Sequence, residues 1–139
     1  MMRRIAATGI AVTAAFSIAA TVPALGCPPP AGEHRLTITY KEDKDADEKE
    51  YVLRCKPTGG NHPDAQAACD AVDKAVKGPK NPWEPVPEDA LCTQIYGGPQ
   101  TARVTGVWNG QKIKSDFDRT NGCEIARWDT LVPALPKAE

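Results

Sequence analysis

The sequence has few of the side chains that enzymes use as nucleophiles and general bases. It holds two histidines, His34 and His62, and Ser115 is the only serine after residue 26. Ser115 lies within a predicted strand, whereas a catalytic serine needs a sharp, exposed turn. His62 precedes a proline that favours a helix start, so we interpret it as a helix-start residue. These scarcities argue against an enzyme.

Metal-binding patterns are equally scarce. No two cysteines are spaced closely enough to form the ligand pairs typical of zinc sites. Asp43, Asp45 and Asp47 resemble the start of a calcium loop, but Glu48 stands where that loop needs glycine, and Arg54 where it needs glutamate. We predict no metal and no cofactor.

The sequence also lacks an excess of basic residues. The formal net charge is −1, and losing Arg3 and Arg4 with an export signal would make it more negative. A chain of this composition is not predicted to bind nucleic acid or an anionic membrane through its overall charge.

An export signal is present at the N-terminus. A basic start at Arg3-Arg4 precedes an apolar run, Ile5 to Ala20, which is too short to span a membrane and is followed by Pro23. We predict a signal peptide over residues 1–26. Ordinary secretion is favoured over the twin-arginine route, because the residues around Arg3-Arg4 do not support that route.

Cleavage after Gly26 would make Cys27 the first residue of the exported chain. Small residues before Cys27 resemble a lipoprotein processing site, although Ala24 stands where a larger aliphatic residue is preferred. Two alternatives follow: a lipid anchor at Cys27 on the outer face of the membrane, or plain secretion with a thiol that is free or paired between molecules. A membrane is a predicted partner only if Cys27 is lipidated.

Four further cysteines lie in the exported part of the chain, where thiols pair: Cys55, Cys69, Cys92 and Cys123. The sequence alone permits three pairings. If neighbours pair, the bonds close loops of about 15 and about 32 residues, each worth roughly 3–4 kcal/mol in the chain-entropy model. Crosslinks of that size would help a single small domain.

Period-two alternation of apolar residues predicts four strands: Leu36–Tyr40, Tyr51–Cys55, Ala102–Trp108, and a return strand from Ile113 that ends near Asn121-Gly122-Cys123. Asn109-Gly110 predicts the hairpin turn before the return strand. His62-Pro63 predicts a helix start, and small apolar residues at helical spacing continue to Val76. We predict a tether over residues 27–34, a domain over 35–128 and a loosely ordered tail over 129–139.

Four motifs occur in one order along this chain: Arg54-Cys55-Lys56-Pro57, Gly60-Asn61-His62-Pro63 with Ala67-Ala68-Cys69, Gly106-Val107-Trp108-Asn109-Gly110, and Asn121-Gly122-Cys123-Glu124. The set resembles the subtilisin inhibitor-like family of secreted actinomycete protease inhibitors. The resemblance implies an α+β fold, in which an antiparallel sheet of about five strands is covered by one or two helices. It also implies the pairs Cys55–Cys69 and Cys92–Cys123, and often a homodimer packed sheet to sheet. Prolines interrupt the region, residues 79–91, where the second helix is expected.

The same resemblance implies a reactive bond two residues beyond the third cysteine, between Gln94 and Ile95. The loop that contacts an extracellular subtilisin-like serine protease is then Leu91, Cys92, Thr93, Gln94, Ile95 and Tyr96. Thr93 stands where the family often has proline. The alternative is a secreted or lipid-anchored interaction module that uses the same scaffold without inhibiting.

Asn121 is predicted to support this loop. It lies two residues before Cys123, so the Cys92–Cys123 crosslink would hold it beneath the Gln94–Ile95 bond. Its side-chain amide could then hydrogen-bond loop carbonyls. The alternative is a simple turn asparagine beside Gly122.

Overall fold

The computed structural model describes residues 32–139; the predicted signal peptide, Cys27 and most of the predicted tether lie outside the described residues. The elements are β1 (His34–Lys41), β2 (Lys49–Cys55), β3 (Gly59–Gly60), α1 (Ala65–Lys77), β4 (Thr101–Trp108), β5 (Gln111–Phe117) and α2 (Gly122–Leu131). The five strands form one antiparallel sheet in the order β3-β2-β1-β4-β5. The predicted α+β fold is confirmed.

One face of the sheet carries the core. In β1 the residues Leu36, Ile38 and Tyr40 are buried, whereas the residues between them are not. Direct cross-strand partners share a face, so Leu36 lies beside Leu53 of β2 and Ile38 beside Val104 of β4. The two helices supply the remaining core side chains, including the fully buried Trp128.

Helix α1 begins at Ala65, whereas His62-Pro63 predicted its start with Pro63 as the first helical residue. Asp64 caps its N-terminus by accepting a hydrogen bond from the Ala67 amide, and Gly78 ends it. The buried stripe of α1 consists of Ala68, Cys69, Val72 and Ala75. Cys69 is bonded to Cys55 at the end of β2, with a Cα–Cα distance of 5.7 Å. The first disulfide therefore fastens α1 to the sheet.

Residues 79–91, where the family resemblance places the second helix, contain no helix. Prolines 79, 82, 85 and 87 lack the amide hydrogens that a helix needs. Helix α2 instead begins at Gly122, directly after β5 and a short turn. This corrects the predicted return strand, which ends at Phe117 rather than near Cys123.

The C-terminal segment, predicted as a loosely ordered tail, belongs to the core. Leu131, Ala134 and Leu135 are all at most 2% exposed. The Trp128 indole N–H donates to the Pro136 carbonyl at 2.8 Å. The expectation failed because the apolar spacing around Pro133 fits neither a regular strand nor a long helix.

His34 gives the fold a testable pH dependence. The Asn109 amide donates to His34 Nδ1 at 3.2 Å, which requires that nitrogen to be unprotonated. Burial, with a smaller contribution from Lys56, lowers the pKa of His34 below its ordinary value of 6.5. The unfolded chain therefore binds more protons just below pH 6.5, so we expect the free energy of unfolding to fall as pH decreases through that range. Urea unfolding between pH 7.5 and 5 measures the slope.

The matched variant for this prediction is His34→Gln, whose amide oxygen can still accept from Asn109. Its unfolding free energy should lose the slope below pH 6.5 that wild type has. An identical slope in both proteins would contradict the assignment to His34.

Candidate functional site

Residues 91–97 form the most exposed apolar segment that the structure describes. Leu91 is 101% exposed, Tyr96 65% and Ile95 61%. Thr93 and Gln94 are also exposed. Large apolar side chains presented together to solvent mark a contact surface.

The segment lies at one end of the sheet. It leads into β4, whose first residue Thr101 pairs with Lys41 at the end of β1. On its other side runs the turn between β5 and α2, which follows Phe117. The exposed segment therefore lies against the start of α2.

A disulfide and a hydrogen bond hold the first half of the segment. Cys92 is bonded to Cys123 with a Cα–Cα distance of 5.3 Å. The Gly122 amide donates to the Thr93 carbonyl at 2.9 Å. The crosslink was expected to reach the end of the β4–β5 hairpin. It reaches the first turn of α2 instead, because Cys123 is helical.

Gly122 permits this close approach. A Cβ atom at Gly122 would lie 1.9 Å from Thr93 Oγ1 and 3.2 Å from Thr93 Cβ. A side chain at position 122 would require the Thr93 side chain to move. The glycine of the Asn-Gly-Cys motif therefore leaves room for the loop.

Arg119 holds the second half of the segment. The Gly97 amide donates to the Arg119 carbonyl at 2.7 Å, and Arg119 Nε donates back to the Gly97 carbonyl at 3.2 Å. Arg119 Nη1 pairs with Asp129 Oδ1 at 2.9 Å, and the Arg119 side chain is only 11% exposed. Both backbone polar groups of Gly97 are therefore hydrogen-bonded to Arg119.

Between these two attachments the backbone polar groups make no hydrogen bonds to the rest of the described structure. Within residues 32–139, no backbone hydrogen bond to the scaffold involves Gln94, Ile95 or Tyr96. The Gln94 side-chain amide makes only a weak local contact, 3.4 Å to the Cys92 carbonyl. The N–H and C=O groups of this stretch are therefore available to an external, extended binding partner.

Asn121 does not take the predicted position beneath the loop carbonyls. Its Oδ1 accepts from the Glu124 amide at 3.0 Å, which makes it the N-cap of α2. Among the described residues its side-chain amide donates to no loop carbonyl. The restraint expected from Asn121 comes from its neighbour, through the Gly122 amide. Asn121 supports the loop only indirectly, by fixing the first turn of α2.

Sequence reasoning missed the arginines that organise this end of the fold. Arg127 is 10% exposed and donates to Ser115 Oγ at 2.6 Å and to the Pro82 carbonyl at 3.2 Å. Ser115 Oγ in turn donates to the Trp83 carbonyl at 2.9 Å. Ser115 thus has a structural role, because it joins the proline-rich segment before the loop to β5. No sequence pattern marks an isolated arginine as buried.

Comparison with known proteins identifies the family of this chain. The family profile described as subtilisin inhibitor-like matches residues 31–121. The chain belongs to the subtilisin inhibitor-like family. That family consists of protease inhibitors, not enzymes, as the scarcity of catalytic side chains predicts.

Two relatives of this subtilisin inhibitor-like chain come from Streptomyces. It is 35% identical over 89 residues to subtilisin inhibitor-like protein 1 of Streptomyces cacaoi, covering 63% of this chain and 80% of the relative. It is 32% identical over 136 residues to the subtilisin inhibitor of Streptomyces violaceus, covering 90% and 92%. Among solved structures, Streptomyces caespitosus sermetstatin in complex with Bacillus licheniformis subtilisin is 25% identical, with coverages of 75% and 100% and a TM-score of 0.47.

No helix in residues 32–139 is long and apolar enough to cross a membrane. The same part of the chain contains no group of three side chains arranged to hold a metal ion.

Proposed function

We propose that this protein inhibits subtilisin-like serine proteases by presenting residues 91–96 as a substrate-like segment, with Gln94–Ile95 as the reactive bond. Membership of the subtilisin inhibitor-like family supports the class of target. The observation that carries the proposal is the two-sided attachment, at Cys92-Thr93 and at Gly97, of a segment whose central backbone is free. Titration of subtilisin with the purified protein tests it.

The attachment before the reactive bond, on its acyl side, favours tight binding to the protease. Serine proteases bind an extended backbone and stabilise the oxyanion that forms on the attacked carbonyl. The disulfide and the Gly122–Thr93 hydrogen bond hold the two residues before Gln94, so docking costs little conformational entropy. Interfaces of this type bury on the order of 1,600 Å² and include some of the tightest complexes known.

Attachment on the leaving-group side slows turnover. Acylation of the protease at Gln94 would release the amine of Ile95, but Gly97, two residues later, stays bonded to Arg119. The amine is therefore retained near the acyl carbonyl at a high effective concentration, and resynthesis of the bond competes with hydrolysis. No side chain of the inhibitor takes part in bond making; the scaffold only restricts motion.

The N-cap of α2 makes this restriction testable. Asn121→Ala removes the cap and should lower the free energy of unfolding by about 1 kcal/mol. It should also raise the rate at which subtilisin cleaves Gln94–Ile95, because the first turn of α2 carries both Gly122 and Cys123. Mass spectrometry of timed digests measures that rate.

Asp64→Ala is the control, since it removes the equivalent cap from α1, away from the loop. It should lose a similar amount of stability and leave the cleavage rate unchanged. Equal cleavage rates in wild type, Asn121→Ala and Asp64→Ala would remove Asn121 from the mechanism.

We also propose that the protein is exported by the signal peptide and held on the outer face of the membrane through Cys27. Support comes from the small residues before Cys27 and from Pro28-Pro29-Pro30, which can act as a spacer. Cell fractionation should find wild type with the membrane and Cys27→Ser in the culture supernatant. Equal amounts of both in the supernatant would contradict the anchor and leave plain secretion.

A further inference from the structure

Helix α2 contacts both ends of the exposed segment, residues 91–97. Its first turn holds the acyl side through the disulfide at Cys123. Two residues further along the same helix, the Ile125 side chain lies against Gly97, where a Cβ atom would be 2.8 Å from Ile125 Cδ1. The two sides of the reactive bond are therefore attached to one helix.

The Arg119 side chain adds a second link between Gly97 and α2. Its Nε donates to the Gly97 carbonyl at 3.2 Å, and its Nη1 donates to Asp129 Oδ1 at 2.9 Å. The guanidinium carbon lies 5.7 Å from the centre of the Trp128 ring, and Trp128 is fully buried. A guanidinium can make these contacts together because its donors are held in one planar fork. Arg119 therefore joins the leaving-group half of the segment to the second half of α2.

The Arg119–Asp129 ion pair orients the guanidinium more than it stabilises the fold. Asp129 is 58% exposed, and ion pairs with an exposed partner contribute little to stability. The Gly97 amide donates to the Arg119 backbone carbonyl, a contact that does not need the arginine side chain. Substitution of the side chain therefore removes one link to α2 and leaves the backbone link in place.

We propose that Arg119 is a positioning residue for resynthesis of the reactive bond, with its guanidinium held in place by Asp129 and Trp128. The inference rests on the proposed function, since it assumes hydrolysis and resynthesis at Gln94–Ile95. Hydrolysis of that C–N bond places the hydroxyl of water on the Gln94 carbonyl carbon and a proton on the Ile95 nitrogen. Resynthesis reverses both transfers and releases the water.

The position of the Ile95 amine after hydrolysis decides how well resynthesis competes. While Gly97 stays attached to α2 through Arg119, the amine is kept near the acyl carbon at a high effective concentration. Without that link the cleaved chain gains freedom, whereas the intact chain is still closed by its own peptide bond. Loss of the Arg119 side chain should therefore affect the cleaved protein far more than the intact one.

Arg119→Met tests the proposal, because methionine keeps an apolar stem against Trp128 and removes every donor. Incubation with catalytic amounts of subtilisin, started from pure intact or from pure cleaved protein, gives the ratio of cleaved to intact chains at equilibrium by mass spectrometry. We expect this ratio to rise by roughly tenfold or more, since hydrogen bonds from a charged donor are lost. Conversion of cleaved into intact protein should slow, while the association rate constant of intact protein with subtilisin changes by less than about twofold.

Arg127→Met is the matched control on the same helix. Arg127 is 10% exposed against 11% for Arg119, donates to the Pro82 carbonyl at 3.2 Å, and lies 4.0 Å from the centre of the Phe117 ring. Among the described residues it makes no hydrogen bond to residues 91–97. Urea unfolding should show a loss of stability in both variants, but Arg127→Met should keep the wild-type ratio. Equal ratios in the two variants would overturn the proposal.

Asp129→Ala tests whether Arg119 acts through its carboxylate partner. Asp129 is exposed enough to be replaced without disturbing the core, so this variant also serves if Arg119→Met is too unstable to measure. Alone it should raise the ratio of cleaved to intact chains, and in the Arg119→Met background it should add nothing, because both substitutions remove one arrangement. A wild-type ratio in Asp129→Ala, or effects that simply multiply, would contradict the role of Asp129.

The same digests separate this inference from the proposed function. Absence of inhibition by wild type, or cleavage at a bond other than Gln94–Ile95, would contradict the proposed function itself. Stoichiometric inhibition, with wild-type ratios in both Arg119→Met and Asp129→Ala, would leave the function standing and overturn only the role of Arg119.

Discussion

Gln94→Lys should turn a poor trypsin inhibitor into a good one. The side chain of Gln94 is exposed between the two attachments of the loop, where it would enter the primary specificity pocket of a protease. Glutamine leaves the buried aspartate of a trypsin-like pocket unpaired, whereas a lysine ammonium can pair with it. We expect the inhibition constant for trypsin to improve by roughly 100-fold, since pairing a buried charge is worth about 3 kcal/mol. Subtilisin, with a broader pocket, should lose much less.

Leu91→Lys is the matched control for Gln94→Lys. It adds the same charge to a fully exposed loop position three residues before Gln94. Trypsin inhibition should stay close to that of wild type. If both lysine variants improve it equally, the gain comes from general charge attraction, and Gln94 does not occupy the pocket.

Removing the Cys92–Cys123 bond should convert the protein from an inhibitor into a substrate. In Cys92→Ser with Cys123→Ser, the acyl side keeps only the Gly122–Thr93 hydrogen bond. The acyl-enzyme should then hydrolyse faster than the bond re-forms, so cleavage at Gln94–Ile95 should accelerate by roughly 100-fold or more. Single-turnover digestion with subtilisin measures this rate.

The second disulfide supplies the control. Cys55→Ser with Cys69→Ser should cost a comparable stability, about 3 kcal/mol in the chain-entropy model, because it also releases a loop. That bond joins α1 to β2 and leaves the reactive loop attached. At a temperature where both variants are folded, only the Cys92/Cys123 variant should be digested quickly. Equal digestion would show that global stability, not the loop attachment, resists cleavage.

The sequence predicted those parts of the fold whose signals are local. Period-two alternation located β1, β2 and β4, and Asn109-Gly110 located the hairpin, where both residues have positive φ angles of 50° and 76°. Gly78 ends α1 as predicted, whereas the helix begins at Ala65, two residues after the predicted start at Pro63. The disulfide pairing came only through the family resemblance, because four cysteines permit three pairings.

The scaffold beneath the loop depends on contacts between residues far apart in sequence. Asn121-Gly122 has the composition of a turn, yet Asn121 caps α2 and Gly122 contacts Thr93. Arg119 and Gly97 are 22 residues apart. Arg127 reaches Pro82 across 45 residues. Such pairs have no sequence spacing of their own, so the Cys92–Cys123 crosslink was predicted through the family resemblance, while these polar contacts were not.

Titration of subtilisin with the purified protein tests the proposed function most directly. We expect activity to fall linearly to zero near one equivalent, and the recovered inhibitor to contain both intact chains and chains cleaved at Gln94–Ile95 alone. Undiminished subtilisin activity, with steady digestion of the added protein, would contradict inhibition and identify the chain as a non-inhibitory interaction module on the same scaffold.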